Sequence, residues 1–155
     1  MEKNIIEEYE RLKKKHNLPS FDVLNSEFEI SEIEANEFLL RNIIRCIAEK
    51  LDFYAKTIES NILQPDTNLA SLHEVKFISN SEKAKIYEIF MQIMFLERWA
   101  TETLLKMNEG EEANYIFNTT KEWQSIRKEL LPFFTTIKQA WINKKLIQDE
   151  INYFG

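Results

Sequence analysis

Arg11 and His16 stand five residues apart near the start of the chain. A histidine can move a proton near neutral pH and an arginine can hold phosphate charge, so the pair has the makings of phosphodiester chemistry. The plainer reading is that His16, with Lys13, Lys14 and Lys15, gives a helix a cationic C-terminal end, where positive charge suits the dipole. Glu34 with Glu37, and Glu49 with Asp52, are acidic pairs three apart that could hold magnesium if brought together. Towards the C-terminus Lys121, Arg127, Lys128, Lys138, Lys144 and Lys145 outnumber the acids, and Trp123 and Trp141 lie among them. Such a face could contact phosphates and stack bases. Both tryptophans also continue an apolar helical stripe, which is the pattern of core residues.

Other chemistries are excluded by what is missing. His16 and His73 are the two histidines, and the residues three positions before them are Lys13 and Ala70. Neither completes the Glu-x-x-His pair of a di-metal bundle, and no zinc pattern exists, so no metal site and no cofactor is expected. Two glycines cannot build a phosphate-cradling loop, and no serine sits in a plausible nucleophile turn. The lone cysteine, Cys46, cannot form an internal disulfide and lies in an apolar helical stretch, as a small buried hydrophobe would.

The Arg11-x-x-x-x-His16 motif resembles the Arg-x₄₋₆-His signature of HEPN ribonucleases, small all-helical proteins. That resemblance implies RNA cleavage, with His16 handling protons and Arg11 stabilising phosphate charge. The family carries the motif on a late helix with a polar residue after the arginine, whereas here Leu12 follows and the helix comes first. Glu34-x-x-Glu37 and Glu49-x-x-Asp52 resemble the acidic motifs of MazG-like nucleotide pyrophosphohydrolases, which hold magnesium between two helices folded together. Here no residue between Glu37 and Glu49 can turn the chain, and on one helix that spacing means ~18 Å of axial separation and an offset of about 120°, too far for one ion. Leu18-Pro19-Ser20-Phe21-Asp22-Val23-Leu24-Asn25 and Leu63-Gln64-Pro65-Asp66-Thr67-Asn68 resemble segments of an uncharacterised archaeal family of small helical proteins, a likeness that implies a fold and no activity.

The elements that must position these residues follow from length and breakers. A chain of 155 residues, 44% hydrophobic and 30% charged, fits one globular domain. Its formal net charge of −6 disfavours generic polyanion binding. Apolar runs such as Met94-Phe95-Leu96 are far too short to span a membrane, and the N-terminus is acidic without an apolar segment, so a cytoplasmic protein is expected.

With two glycines and three prolines, long helices can run almost uninterrupted. Periodicity predicts an all-α, single-domain bundle over 1–155, with four main helices at about 2–15, 32–62, 80–107 and 111–150. Ser31 with Glu34 and Ser79 with Glu82 read as capping boxes opening the second and third helices. The seam Leu40, Ile44, Ile47, Leu51, Tyr54 and Ile58 steps by four and three. Ile86, Ile89, Phe90, Ile93, Met94, Phe95, Leu96 and Trp99 occupy more than one face, which predicts that the third helix is the most buried. Asn108-Glu109-Gly110 should end it, and Pro132, inside an apolar stripe, predicts a kink in the last helix.

An acidic stretch (Asp22, Glu27, Glu29, Glu32, Glu34, Glu37) stands apart from the basic C-terminal residues. These separated charge blocks point to a non-enzymatic cytoplasmic interaction module that binds a protein partner, or itself as a homodimer, through leftover apolar helix surface. The alternative is an RNA-directed helical protein, either a nuclease using Arg11 and His16 or a binder using the basic face.

Overall fold

The computed structural model describes residues 4–63 and 68–142. They are all-helical: among the described residues there is no strand, and six α-helices follow one another. These are α1 (Ile5–Lys15), α2 (Phe21–Phe28), α3 (Leu39–Ile58), α4 (Leu69–Val75), α5 (Asn80–Lys106) and α6 (Glu109–Ala140). A 3₁₀ turn, Ile30–Glu32, precedes α3, and a π-helical turn, Glu59–Leu63, follows it. The breaker at Pro65 and the residues after Ile142, including Lys144 and Lys145, lie outside the described residues.

Six helices stand where four main ones were expected, and the two additions are short elements held by side-chain caps. Ser20 Oγ accepts from the Val23 N–H at 3.3 Å to open α2, and Asn68 Oδ1 accepts from the Ser71 N–H at 2.9 Å to open α4. The start expected at Ser31 is also corrected. Asn25 Oδ1 takes the Ser31 N–H at 2.9 Å, Glu29 sits in the left-handed region at φ 54°, and Ile33 is extended. These commitments hold Ser31 in the 3₁₀ turn, so its pairing with Glu34 does not form. Asn36 takes over, accepting the Phe38 N–H at 2.8 Å just ahead of α3. The Ser79 box forms as its spacing predicts, with Glu82 N–H donating to Ser79 Oγ at 3.2 Å and Ser79 N–H to Glu82 Oε1 at 3.3 Å.

The connection into α6 differs in the same local way. Positive φ falls on Met107 (53°), not on Gly110, which lies inside the first turn of α6. Asn108 Oδ1 caps that turn by accepting from the Glu111 N–H at 3.0 Å. Helix α6 then continues through Pro132 without a break.

The chain divides into two compact units, Met1–Phe53 with Ile93–Ser125, and Tyr54–Gln92 with Ile126–Gly155. In the first, the α3 seam Leu40, Ile44, Ile47 and Leu51 is buried with Leu24, Phe28, Tyr115 and Trp123. Tyr115 donates its hydroxyl to Leu96 O at 3.0 Å and meets Trp99 edge to face at 5.1 Å. Burial pushes the Tyr115 phenol well above its ordinary range. Cys46 is half-buried and donates to Phe28 O at 3.1 Å. In the second unit Ile58, Ile62, Ile86, Ile126, Leu130 and Phe133 are buried, as is His73, whose ring lies 4.5 Å from Trp141 and 5.1 Å from Phe77.

Helix α5 departs most from expectation. Ile86, Ile89, Ile93, Leu96 and Ala100, stepping by three and four, are buried, as a single core-facing stripe requires. The second apolar stripe is not: Tyr87, Met91 and Phe95 are 53%, 55% and 66% exposed. Apolar residues on two faces therefore do not make α5 the most buried helix.

Candidate functional site

Arg11 lies in the C-terminal half of α1 and His16 is its C-cap, and different carboxylates hold them. Arg11 Nη2 lies 2.7 Å from Glu8 Oε1 one turn back, and Nε donates to the same carboxylate. His16 Nε2 lies 2.8 Å from Glu109 Oε2, which also accepts from Lys15 Nζ at 2.6 Å. The two side chains are thus paired with different carboxylates, and Glu109 also acts on the Arg11 guanidinium through its charge.

A recess of about 180 Å³ opens beside this cluster, lined by Leu12, Glu37, Phe38, Leu40, Arg41, Met107, Glu109 and Glu112. Its polar centre is Arg41, whose Nε donates to Glu112 Oε2 at 3.1 Å while the guanidinium lies 4.9 Å from the Phe38 ring centre. The Glu112 side chain is only 4% exposed. It lies in the first turn of α6, where the positive end of the dipole favours it. Sequence reading passed over this pair, because its partners are 71 positions apart and neither belongs to a motif.

Lys15 first, and His16 second, hold the Glu109 carboxyl below the ordinary glutamate range. A carboxylate with a depressed folded pKa adds stability above its unfolded value of about 4.3 and loses it as pH falls through the folded value. Glu109→Gln should therefore be less stable than wild type near neutral pH. Because Glu109 is 39% exposed, the difference is at most about 1 kcal/mol. Thermal melts should find the gap closing in acid, below about pH 4; a gap that stays constant with pH would remove the ion pair from this account.

The acidic pairs are placed differently from the expectation. Glu34 and Glu37 lie in the non-helical connection ahead of α3, while Glu49 and Asp52 lie within it, so the single straight helix assumed to separate them does not exist. Glu37 instead lines the recess. Among the described residues no group of three His, Cys, Asp or Glu side chains is placed to share a metal ion.

The described members of the basic set all lie on α6. Helical geometry puts Lys121 and Lys128 on one line, with Arg127 and Lys138 about 100° around the axis and Glu122 and Glu129 on the other side. Lys121 Nζ sits 4.3 Å from the Phe117 ring centre. Trp123 is 1% exposed and packs on Phe28 at 6.4 Å, so it cannot stack a base. Trp141 donates its indole N–H to Glu74 Oε2 at 3.1 Å and lies against His73.

The remaining feature is the exposed apolar stripe of α5. Tyr87, Met91 and Phe95 recur every fourth residue at the middle of the helix's solvent face. No helix among the described residues is long and apolar enough to cross a membrane. No protein-family model, curated protein or solved structure matches this chain.

Proposed function

We propose that this chain is a non-enzymatic interaction module that docks a protein through the solvent face of α5. The observation that carries the reading is the regular row Tyr87, Met91 and Phe95, each more than half exposed. Scattered apolar residues are ordinary on a protein surface, but a periodic row on one helix is what helix-in-groove and helix-pair contacts use. The partner-free row leaves apolar area in water that association would remove. A single cysteine with no disulfide partner suits the reducing cytoplasm, which we take as the compartment. The same proposal treats α1, α3, α5 and α6, the four longest helices, as the main bundle, with a bend at Pro132 in the last.

The RNA-directed alternative draws less support, since Arg11 and His16 answer to separate carboxylates and Trp123 is buried. A steep fall of RNA affinity with salt would favour it.

The test compares wild type with Phe95→Asp in affinity capture from native lysate, with light scattering on the purified proteins. The exposed position tolerates aspartate, so folding should be unaffected. Wild type is expected to self-associate or to retain a partner that Phe95→Asp loses. Indistinguishable behaviour of the two proteins would contradict the reading.

A further inference from the structure

The exposed face of α5 carries more order than its apolar centre alone. Ala84, Glu88, Met91, Phe95, Arg98 and Glu102 are all exposed and step by four, three, four, three and four. On an ideal helix these positions fall within about 80° of arc and span ~27 Å of axis. This is the spacing with which two helices pack at a shallow crossing angle. Because α5 is one continuous helix, the helix itself sets the order of these side chains.

That order is its own complement when reversed. Lay a second α5 antiparallel about a two-fold axis midway between Met91 and Phe95, and each Met91 meets the other copy's Phe95. On both sides of this apolar centre Glu88 then meets Arg98, and at the ends Ala84, small enough for close approach, meets Glu102. Among the described residues, no ion pair or hydrogen bond within the chain engages Glu88 or Arg98. Glu102 already holds Lys106 at 3.0 Å and needs nothing from across the axis. A parallel arrangement in register would set Glu88 against Glu88 and Arg98 against Arg98, which like-charge repulsion opposes.

We infer that the occupant of this surface is a second copy of the chain, bound as a symmetric antiparallel α5 pair with Met91 against Phe95 and Glu88 against Arg98. This rests on the proposed docking role of α5 and names its partner. The contact is isologous, so it closes at two copies and builds no filament. One helix per copy makes a smaller interface than the ~1,600 Å² of a standard stable complex, so the dimer should be reversible, with a dissociation constant in the micromolar range.

The experiment is sedimentation of the full chain over a range of concentrations, as wild type, Glu88→Arg, Arg98→Glu and the double charge swap. Each single swap sets like charges together at two symmetric places and should weaken the dimer roughly tenfold or more. The double swap restores opposite charges and should return the affinity to within about threefold of wild type. A heterologous partner would not be recovered by the double swap. In a Cys46→Ala background, Glu88→Cys with Arg98→Cys should oxidise to a covalent dimer of twice 18.6 kDa, since cysteines ten positions apart on one helix cannot reach each other. Wild type that stays monomeric, single swaps without effect, or a double swap that fails to rescue would each overturn the antiparallel pairing. If wild type is monomeric yet retains a partner that Phe95→Asp loses, self-pairing falls while the docking role stands. If it is monomeric and retains none, both fall.

Discussion

Trp123→Ala is expected to destabilise the chain by about 3–5 kcal/mol, the range for truncating a large buried aromatic residue. Trp123 is 1% exposed, and its ring meets Phe28 at 6.4 Å with a 38° tilt. Phe28 in turn offers its carbonyl to Cys46 and its ring face to Lys50, 5.9 Å from the ring centre. Alanine would open a cavity where α2 and α6 meet, and the helices can only partly collapse into it. A domain of this size has about 5–15 kcal/mol in total, so the variant should unfold at a much lower urea midpoint. Trp123→Phe keeps a ring in place and should lose less. A midpoint for Trp123→Ala close to that of wild type would contradict the placement of this side chain in the core.

Arg41→Ala should be the second large effect. Removing one member of a buried ion pair typically costs about 3–5 kcal/mol, because the surviving charge keeps its desolvation penalty. Two features place this case towards the lower end. The Arg41 side chain is 24% exposed, and Glu112 also feels the N-terminus of α6. Replacing both partners, Arg41→Met with Glu112→Met, removes the charge and the need for its counterpart together. The double variant should therefore be more stable than Arg41→Ala by urea denaturation. Equal loss in both would mean that packing of the arginine stem, and not the buried carboxylate, sets the cost.

What the sequence makes legible follows from the range of the forces involved. The Ser79 box and the α3 seam are local patterns, and both stand in the structure. Helices α2 and α4, of eight and seven residues, are too short for periodicity to declare, and their caps are single side chains. Helix α3 starts later than Ser31 predicts, because Asn25, six residues upstream, takes the Ser31 N–H. The Arg41–Glu112 contact depends on folding across 71 positions, and no motif foretells it.

Helix α5 differs from the sequence expectation in which of its apolar stripes is buried. Its two apolar stripes read as burial on two sides, because a lone sequence cannot distinguish a stripe that meets the core from one that meets another molecule. Ile86, Ile89 and Ile93 belong to the first kind, and Tyr87, Met91 and Phe95 are left to solvent. Arg11 and His16 share a helix end, and the carboxylates that pair with them, Glu8 and Glu109, lie outside the motif.

The solvent face of α5 can be watched directly, because the chain has four methionines and two of them serve as opposed reporters. Met91, 55% exposed, lies at the centre of the face, and Met107, 66% exposed, lies beyond the end of the helix. In methyl-labelled protein followed by NMR from micromolar to millimolar concentration, the Met91 signal should move progressively while that of Met107 stays in place. Phe95→Asp should abolish the movement. A Met91 signal unchanged across that range, and unchanged by any protein retained from lysate, would contradict the claim that this face is where the chain makes its contact.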